Sequence, residues 1–184
     1  REFMLNLIST APSCSYEILL MDGSLQFIDN PSKFPEQQSI DEIREPMVKM
    51  TIHVPNEFLG NIIQLCVERR GIQLDMQYLT SERVVLTYSL PLTEMMFDFY
   101  DELKSLSKGY ASMDYEVTKY ESSDLVKLDI LVNGEPVDAL STIVHKSRAE
   151  SRGRAVIEKL RELIPRQQFL IALQASIGAR IVAR

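Results

Sequence analysis

The last forty residues carry the clearest chemistry in this 184-residue sequence: positions 145–184 hold 9 Lys/Arg against 3 Asp/Glu, a formal charge of +6. Arg148, Arg152 and Lys159 are spaced by four and by seven, so on a helix they share one stripe. Arg154 and Arg161 fall on a neighbouring stripe, and Arg166, Arg180 and Arg184 extend the charge beyond it. Guanidinium groups on a rigid element suit phosphate, because each can make two parallel hydrogen bonds to its oxygens. The plainer alternative is a solvated face with internal pairs, since Arg154 and Glu158, and Glu158 and Arg161, stand at helical pairing distances. Three acids cannot neutralise nine bases, which favours a polyanion partner. Gly153, between Arg152 and Arg154, costs about 1 kcal/mol in a helix interior and permits close backbone approach. His145 stands where a strand passes into this helix and reads as structural or RNA-facing. Lys108, in the loop 105–111, could meet a phosphate with the amides around Gly109. An equally good reading there is a Gly cap with a Lys favouring the helix dipole.

Catalytic constellations are missing from the sequence. No GxxxxGK[ST] loop cradles a nucleotide, and no GxSxG or HExxH pattern occurs. Two histidines, His53 and His145, and two distant cysteines, Cys14 and Cys66, make neither a zinc site nor a triad, and the cysteines read as free buried thiols. We therefore expect no catalytic, cofactor-binding or metal-binding residue in this span and no small-molecule substrate.

The elements that position the basic residues follow from periodicity and punctuation. Residues 1–6 read as the tail of a helix, and 181–184 as an interrupted strand. Residues 15–21 and 25–28 form a hairpin about Asp22-Gly23, and 30–46, with three prolines, form a linker. Between 45 and 122 the pattern predicts a strand at 47–54, a helix opened by Pro55 and stopped by Gly71, and strands at 72–78 and 84–90. A second helix follows, opened by Pro91 and ended by Gly109, and then a strand at 111–117. That βαββαβ order is the split βαβ, or ferredoxin-like, sandwich of an α+β protein. A third segment, 123–184, predicts a strand at 125–132, the hairpin dipeptide Asn133-Gly134, and a return strand at 137–144. It continues with a helix over 146–164 whose apolar face is Ala149, Val156, Leu160 and Leu163, and a strand at 169–175. Residues 1–144 hold 11 Lys/Arg against 23 Asp/Glu, a charge of −12, so the overall −6 conceals a sharp division.

Several strings resemble the LepA (elongation factor 4) family of translational GTPases along essentially the whole chain. They include Leu65-Cys66-Val67-Glu68-Arg69-Arg70-Gly71, Lys108-Gly109-Tyr110-Ala111-Ser112, Arg152-Gly153-Arg154 and, most specific, Leu163-Ile164-Pro165-Arg166-Gln167-Gln168-Phe169. Ser176 departs from the family's usual Ala, and Lys146-Ser147 from its commoner Arg-Asp. The resemblance implies that residues 1–44 end a first ferredoxin-like domain, 45–122 form a second, akin to domain V of elongation factor G, and 123–184 begin the LepA-type C-terminal domain. It implies docking on the ribosome, at 23S rRNA and the GTPase-associated centre, and on tRNA, in back-translocation or in ribosome biogenesis or fidelity under stress. GTP and Mg would belong to a GTPase domain outside this span. A cytoplasmic location with loose, peripheral inner-membrane association is also implied. Two alternatives stay open: a structural or interaction piece of a relative like elongation factor G or BipA, and an acylphosphatase-like enzyme. The latter would need an anion-cradling Arg after the first strand, where residues 54–58 offer Glu57 and no Arg.

Overall fold

The computed structural model describes residues 14–96, 98–164 and 171–184. The expected helix tail near the start, Arg166 and the string around it lie outside these. The chain divides into two compact units, Arg1–Cys14 with Glu45–Glu121 and Ser15–Arg44 with Ser122–Arg184. Residues 15–44, expected above as the end of another domain, cluster here with Ser122–Arg184.

Alternation builds the first unit. In β3 (Ile40–Pro55) Val48, Met50, Ile52 and Val54 point to the core while Lys49 and His53 point out. In β5 (Arg83–Pro91) Val84, Leu86, Tyr88 and Leu90 do the same, and the two strands pair antiparallel from Met47↔Pro91 to Pro55↔Arg83. β4 (Ile72–Tyr78) pairs antiparallel with β5, and β6 (Ser112–Ser122) pairs with β3. Against one face lie α1 (Leu59–Glu68), through Ile62, Leu65 and Cys66, and α3 (Phe99–Leu106), through Phe99 and Leu103. This is the ferredoxin-like βαββαβ arrangement the periodicity predicts.

Three details differ from expectation. β3 begins at Ile40, not 47, because residues 40–44 hydrogen-bond to β1 (Tyr16–Leu20) in the second unit's hairpin; short 3-10 turns at Pro31–Lys33 and Gln37–Ser39 precede it. The helix after Pro91 is two helices, α2 (Leu92–Met96) and α3, separated where Asp98 takes a left-handed φ of 54°. The left-handed residue that closes α1 is Arg70 (φ 62°), not Gly71. Gly71 serves close approach instead: its N–H donates to Cys66 O at 2.8 Å, and a Cβ there would lie 2.7 Å from the same carbonyl.

The strained φ of Arg70 places its side chain on buried Glu45. Its Nη2 lies 2.5 Å from Glu45 Oε1, and its Nη1 lies 4.0 Å from Glu94 Oε1. One guanidinium thus joins the first core strand to α2 from the end of α1.

In the second unit β1 and β2 (Leu25–Ile28) form the hairpin predicted about Gly23 (φ 83°). A separate antiparallel sheet runs in the order β11 (Arg180–Ala183), β10 (Leu173–Ile177), β7 (Leu125–Val132), β8 (Glu135–Pro136), and β9 (Thr142–His145) also pairs with β7. Asn133 and Gly134 both have positive φ, 54° and 87°, as a type I′ turn requires. The return strand is not continuous. A 3-10 turn at Asp138–Leu140 interrupts it, stapled by Ser141 Oγ donating to Asp129 Oδ1 at 2.7 Å. The strand expected at 169–175 starts at Leu173 within the described residues.

Two predictions follow from these packings. Arg70→Ala leaves the buried Glu45 carboxylate without its cation, and unfolding by denaturant should show a loss of about 3–5 kcal/mol. Burial pushes the Cys66 thiol up to about 12, and burial, followed by the charge of Glu45, pushes Cys14 up to about 11. An unfolded thiol ionises earlier, so stability should be intact below about pH 8.5 and fall as pH climbs through the raised values. Iodoacetamide labelling across pH 7–10 should accordingly track unfolding, with both thiols inert in the folded chain.

Candidate nucleic-acid interface

The basic helix is built from a capped start and a narrow apolar stripe. His145 Nδ1 accepts from the Ser147 N–H, and its ring nitrogen lies 2.7 Å from Ser147 Oγ. His145 therefore caps the 3-10 turn Lys146–Arg148, which runs into α4 (Ala149–Leu163). Ala149, Gly153 and Ile157, at strict fourth positions, form the buried stripe, with Val156 and Leu160 partly buried beside it. Leu163, predicted to face the core, is 68% exposed: as the last residue of α4 it lies past the buried stripe that ends at Ile157.

Gly153 sets the distance between helix and sheet. A Cβ on it would lie 2.7 Å from Ala175 Cβ and 3.6 Å from Ala183 Cβ. Real carbon atoms do not approach that closely, so the glycine serves the core rather than the solvent-facing surface. The small residues opposite, Ala175 and Ala183, complete the same contact from β10 and β11.

With 3.6 residues per turn, Arg148, Arg152 and Lys159 fall within about 40° of one another along one flank of the buried stripe. Arg154 and Arg161 take the other flank, so the two groups are separated by the core contact on one side and by Ser151, Glu158 and Glu162 on the other. All are exposed except Arg148, which is half-buried. Arg148 and Arg152 also have partners within the chain. Arg154 donates to Glu150 Oε1 at 2.8 Å, an exposed i,i+4 pair in place of the Glu158 partner expected. Such a pair is worth about 0.3–0.5 kcal/mol and yields to salt or to a phosphate. Among the described residues no carboxylate pairs with Lys159, Arg161, Arg180 or Arg184, which are all exposed. Arg180 opens β11 and Arg184 follows its last residue, Ala183.

Lys108 belongs to the first unit. It takes a left-handed φ of 51° just past α3, and its Nζ lies 5.8 Å from the centroid of the Phe58 ring. The residues after the first core strand, Asn56–Phe58, form a 3-10 turn with Glu57 exposed, so no arginine cradle for an acyl phosphate stands there. Among the described residues no group of three His, Cys, Asp or Glu side chains is placed to hold a metal. A cavity of the second unit, about 680 Å³, is lined by Glu36, Asp41, Glu42, Asp124 and Asp129 against the one cation Lys127, itself paired with Asp129, so its net charge disfavours phosphate. Arg44, donating to Glu42 at 2.8 Å, holds that carboxyl below its usual range. Among the described residues of this unit, exposed cations gather mainly on α4, the turn before it and β11, with Lys33 apart from them. The spacing that singles out Lys108 carries no signal for Tyr110 two residues on, whose exposure no periodicity reports.

Residues 42–131 match the family model described as "Elongation factor G C-terminus", and residues 132–184 match "GTP-binding protein LepA C-terminus". Among curated proteins, the chain is 56% identical over its full length to "Elongation factor 4" of Halalkalibacterium halodurans. It is 56% identical to that of Nitratidesulfovibrio vulgaris and 53% to that of Sorangium cellulosum, again over 100% of this chain. It spans only 30–31% of the length of these relatives.

Seating α4 on its sheet through Gly153 generates a sharp expectation. Gly153→Val adds a branched side chain where even one methyl has no room, and should destabilise the second unit by about 1–3 kcal/mol, read as a shifted denaturant midpoint.

Proposed function

Because the chain belongs to the LepA (elongation factor 4) family, we propose that it is the part of a translation factor that docks on ribosomal RNA and tRNA through the cationic flanks of α4. The observation that carries this reading is the confinement of nine bases to the last forty residues, with Lys159, Arg161, Arg180 and Arg184 exposed and no carboxylate among the described residues paired with them. A rigid, capped helix holding guanidinium groups on two flanks can meet phosphates across a groove without ordering new backbone. Its acidic remainder, −12 over residues 1–144, orients the chain by turning its basic end toward a polyanion.

In this reading the site of action is the cytoplasm, on the ribosome near 23S rRNA and the GTPase-associated centre, in back-translocation, ribosome biogenesis or fidelity under stress. GTP and Mg are handled by the part of the longer relatives outside this span, since the chain carries no P-loop motif. The reading includes a loose, peripheral inner-membrane association; no described helix is long and apolar enough to cross a membrane.

Binding of the chain to ribosomes or 23S rRNA between 50 and 200 mM salt tests the mechanism. The logarithm of the binding constant should fall linearly and steeply with that of salt, because phosphate contacts release counterions. Charge reversal of Arg152 and Arg154 together should weaken binding and flatten the slope by about one for each lost contact, with the unfolding midpoint unchanged. A flat salt response would overturn phosphate docking.

A further inference from the structure

We propose that Tyr110 is a stacking platform for one unpaired RNA base, at a second contact in the first unit, independent of the basic helix. Tyr110 is 72% exposed, yet its ring lies nearly parallel to Phe58, 10° between planes and 6.4 Å between centroids. Phe58 is itself buried at 8% exposure, so the exposed ring lies parallel to and offset from an aromatic anchored in the core, with most of its surface open. The loop beneath is pinned. The Gly109 N–H donates to Lys104 O at 2.7 Å, the Tyr110 N–H to Ser107 O at 3.0 Å, and the Ala111 N–H to the buried Ser107 Oγ at 3.0 Å. Lys104 Nζ donates to Ala111 O at 2.7 Å from the opposite side.

A solvent-facing aromatic on so restrained a loop has no folding role that needs its exposure. It offers a flat apolar surface that loses little entropy when covered. Base–aromatic stacking uses such a surface, because every base has a π face. Two cations belong to the same neighbourhood: Lys108, whose Nζ lies over Phe58, the ring parallel to Tyr110, and Arg83, which lines with Tyr110 a cavity of about 460 Å³. Two loops close that cavity, joined where the Asn56 N–H donates to Glu82 O at 2.8 Å. Asn56, Glu57 and Glu82 line it with hydrogen-bond acceptors. The acceptors suit a base edge rich in N–H donors, such as guanine's, while Lys108 and Arg83 suit its flanking phosphates. Tyr110, Lys108 and Arg83 together thus fit a single splayed nucleotide and not a paired helix, in which no base face is free.

The class of ligand rests on the RNA-docking reading above, and the test keeps the two apart. Fluorescence anisotropy is measured for the whole chain with an RNA hairpin carrying one bulged guanine and with the same hairpin fully paired. The bulged hairpin should bind about tenfold more tightly. Tyr110→Ala should erase that ratio and leave paired-hairpin affinity and the unfolding midpoint unchanged, whereas Tyr110→Phe should keep it. The Arg152 and Arg154 charge reversals should weaken both hairpins equally, so failure of the α4 reading would show as paired-hairpin affinity insensitive to those changes. A wild-type ratio near one, or a ratio that survives Tyr110→Ala, would overturn the stacking platform.

Discussion

The distance between α4 and its sheet governs the basic surface. Gly153 lies where any side chain would collide with Ala175, and Ala183 completes the gap. The helix gives up about 1 kcal/mol of propensity at that position. In return its buried stripe can be as narrow as Ala149, Gly153 and Ile157, which leaves both flanks of the cylinder available for charge. A wider apolar face would have placed hydrophobic residues where Arg152, Lys159, Arg154 and Arg161 now stand.

A different device organises the first unit. Arg70, in a left-handed conformation, reaches Glu45 and Glu94 at once, and Glu45 is 1% exposed. A buried ion pair adds little net stability compared with an apolar substitute, yet breaking it strands a charge. Its consequence here is geometric. The end of α1, the start of the core strand and α2 are held by one planar group, and Gly71 must then pass against the Cys66 carbonyl. The pinned loop 107–111 at the far end of α3 has the same character, with Ser107 Oγ bridging the Leu103 carbonyl and the Ala111 amide.

Charge is segregated along the chain, and the structure keeps it so. Acids line a cavity of the second unit while bases gather on α4 and about β11 in that same unit. On α4 the pair of Arg154 with Glu150 is exposed, and so open to exchange for a phosphate. Steering by such a field depends on ionic strength, which ties the proposed docking to measurable conditions.

Local interactions made much of this legible in advance. Alternating Val48, Met50, Ile52 and Val54, the Asn133-Gly134 turn and the four-residue spacing of the arginines each depend on neighbours a few positions away, so the sequence alone determined the βαββαβ order, the hairpins and the presence of a basic helix. It also determined the division of charge, which is a property of composition. What it left open depended on partners distant in the chain. The extension of β3 back to Ile40 comes from β1, the left-handed Arg70 goes with its reach to a buried carboxylate, and the burial of Gly153 comes from alanines more than twenty residues away. The exposure of Tyr110 on a ring of Phe58 likewise arises from loops that meet only in the fold. Periodicity reports which side of an element is apolar; only tertiary contact decides what that side rests on, and therefore which charges and rings remain outside.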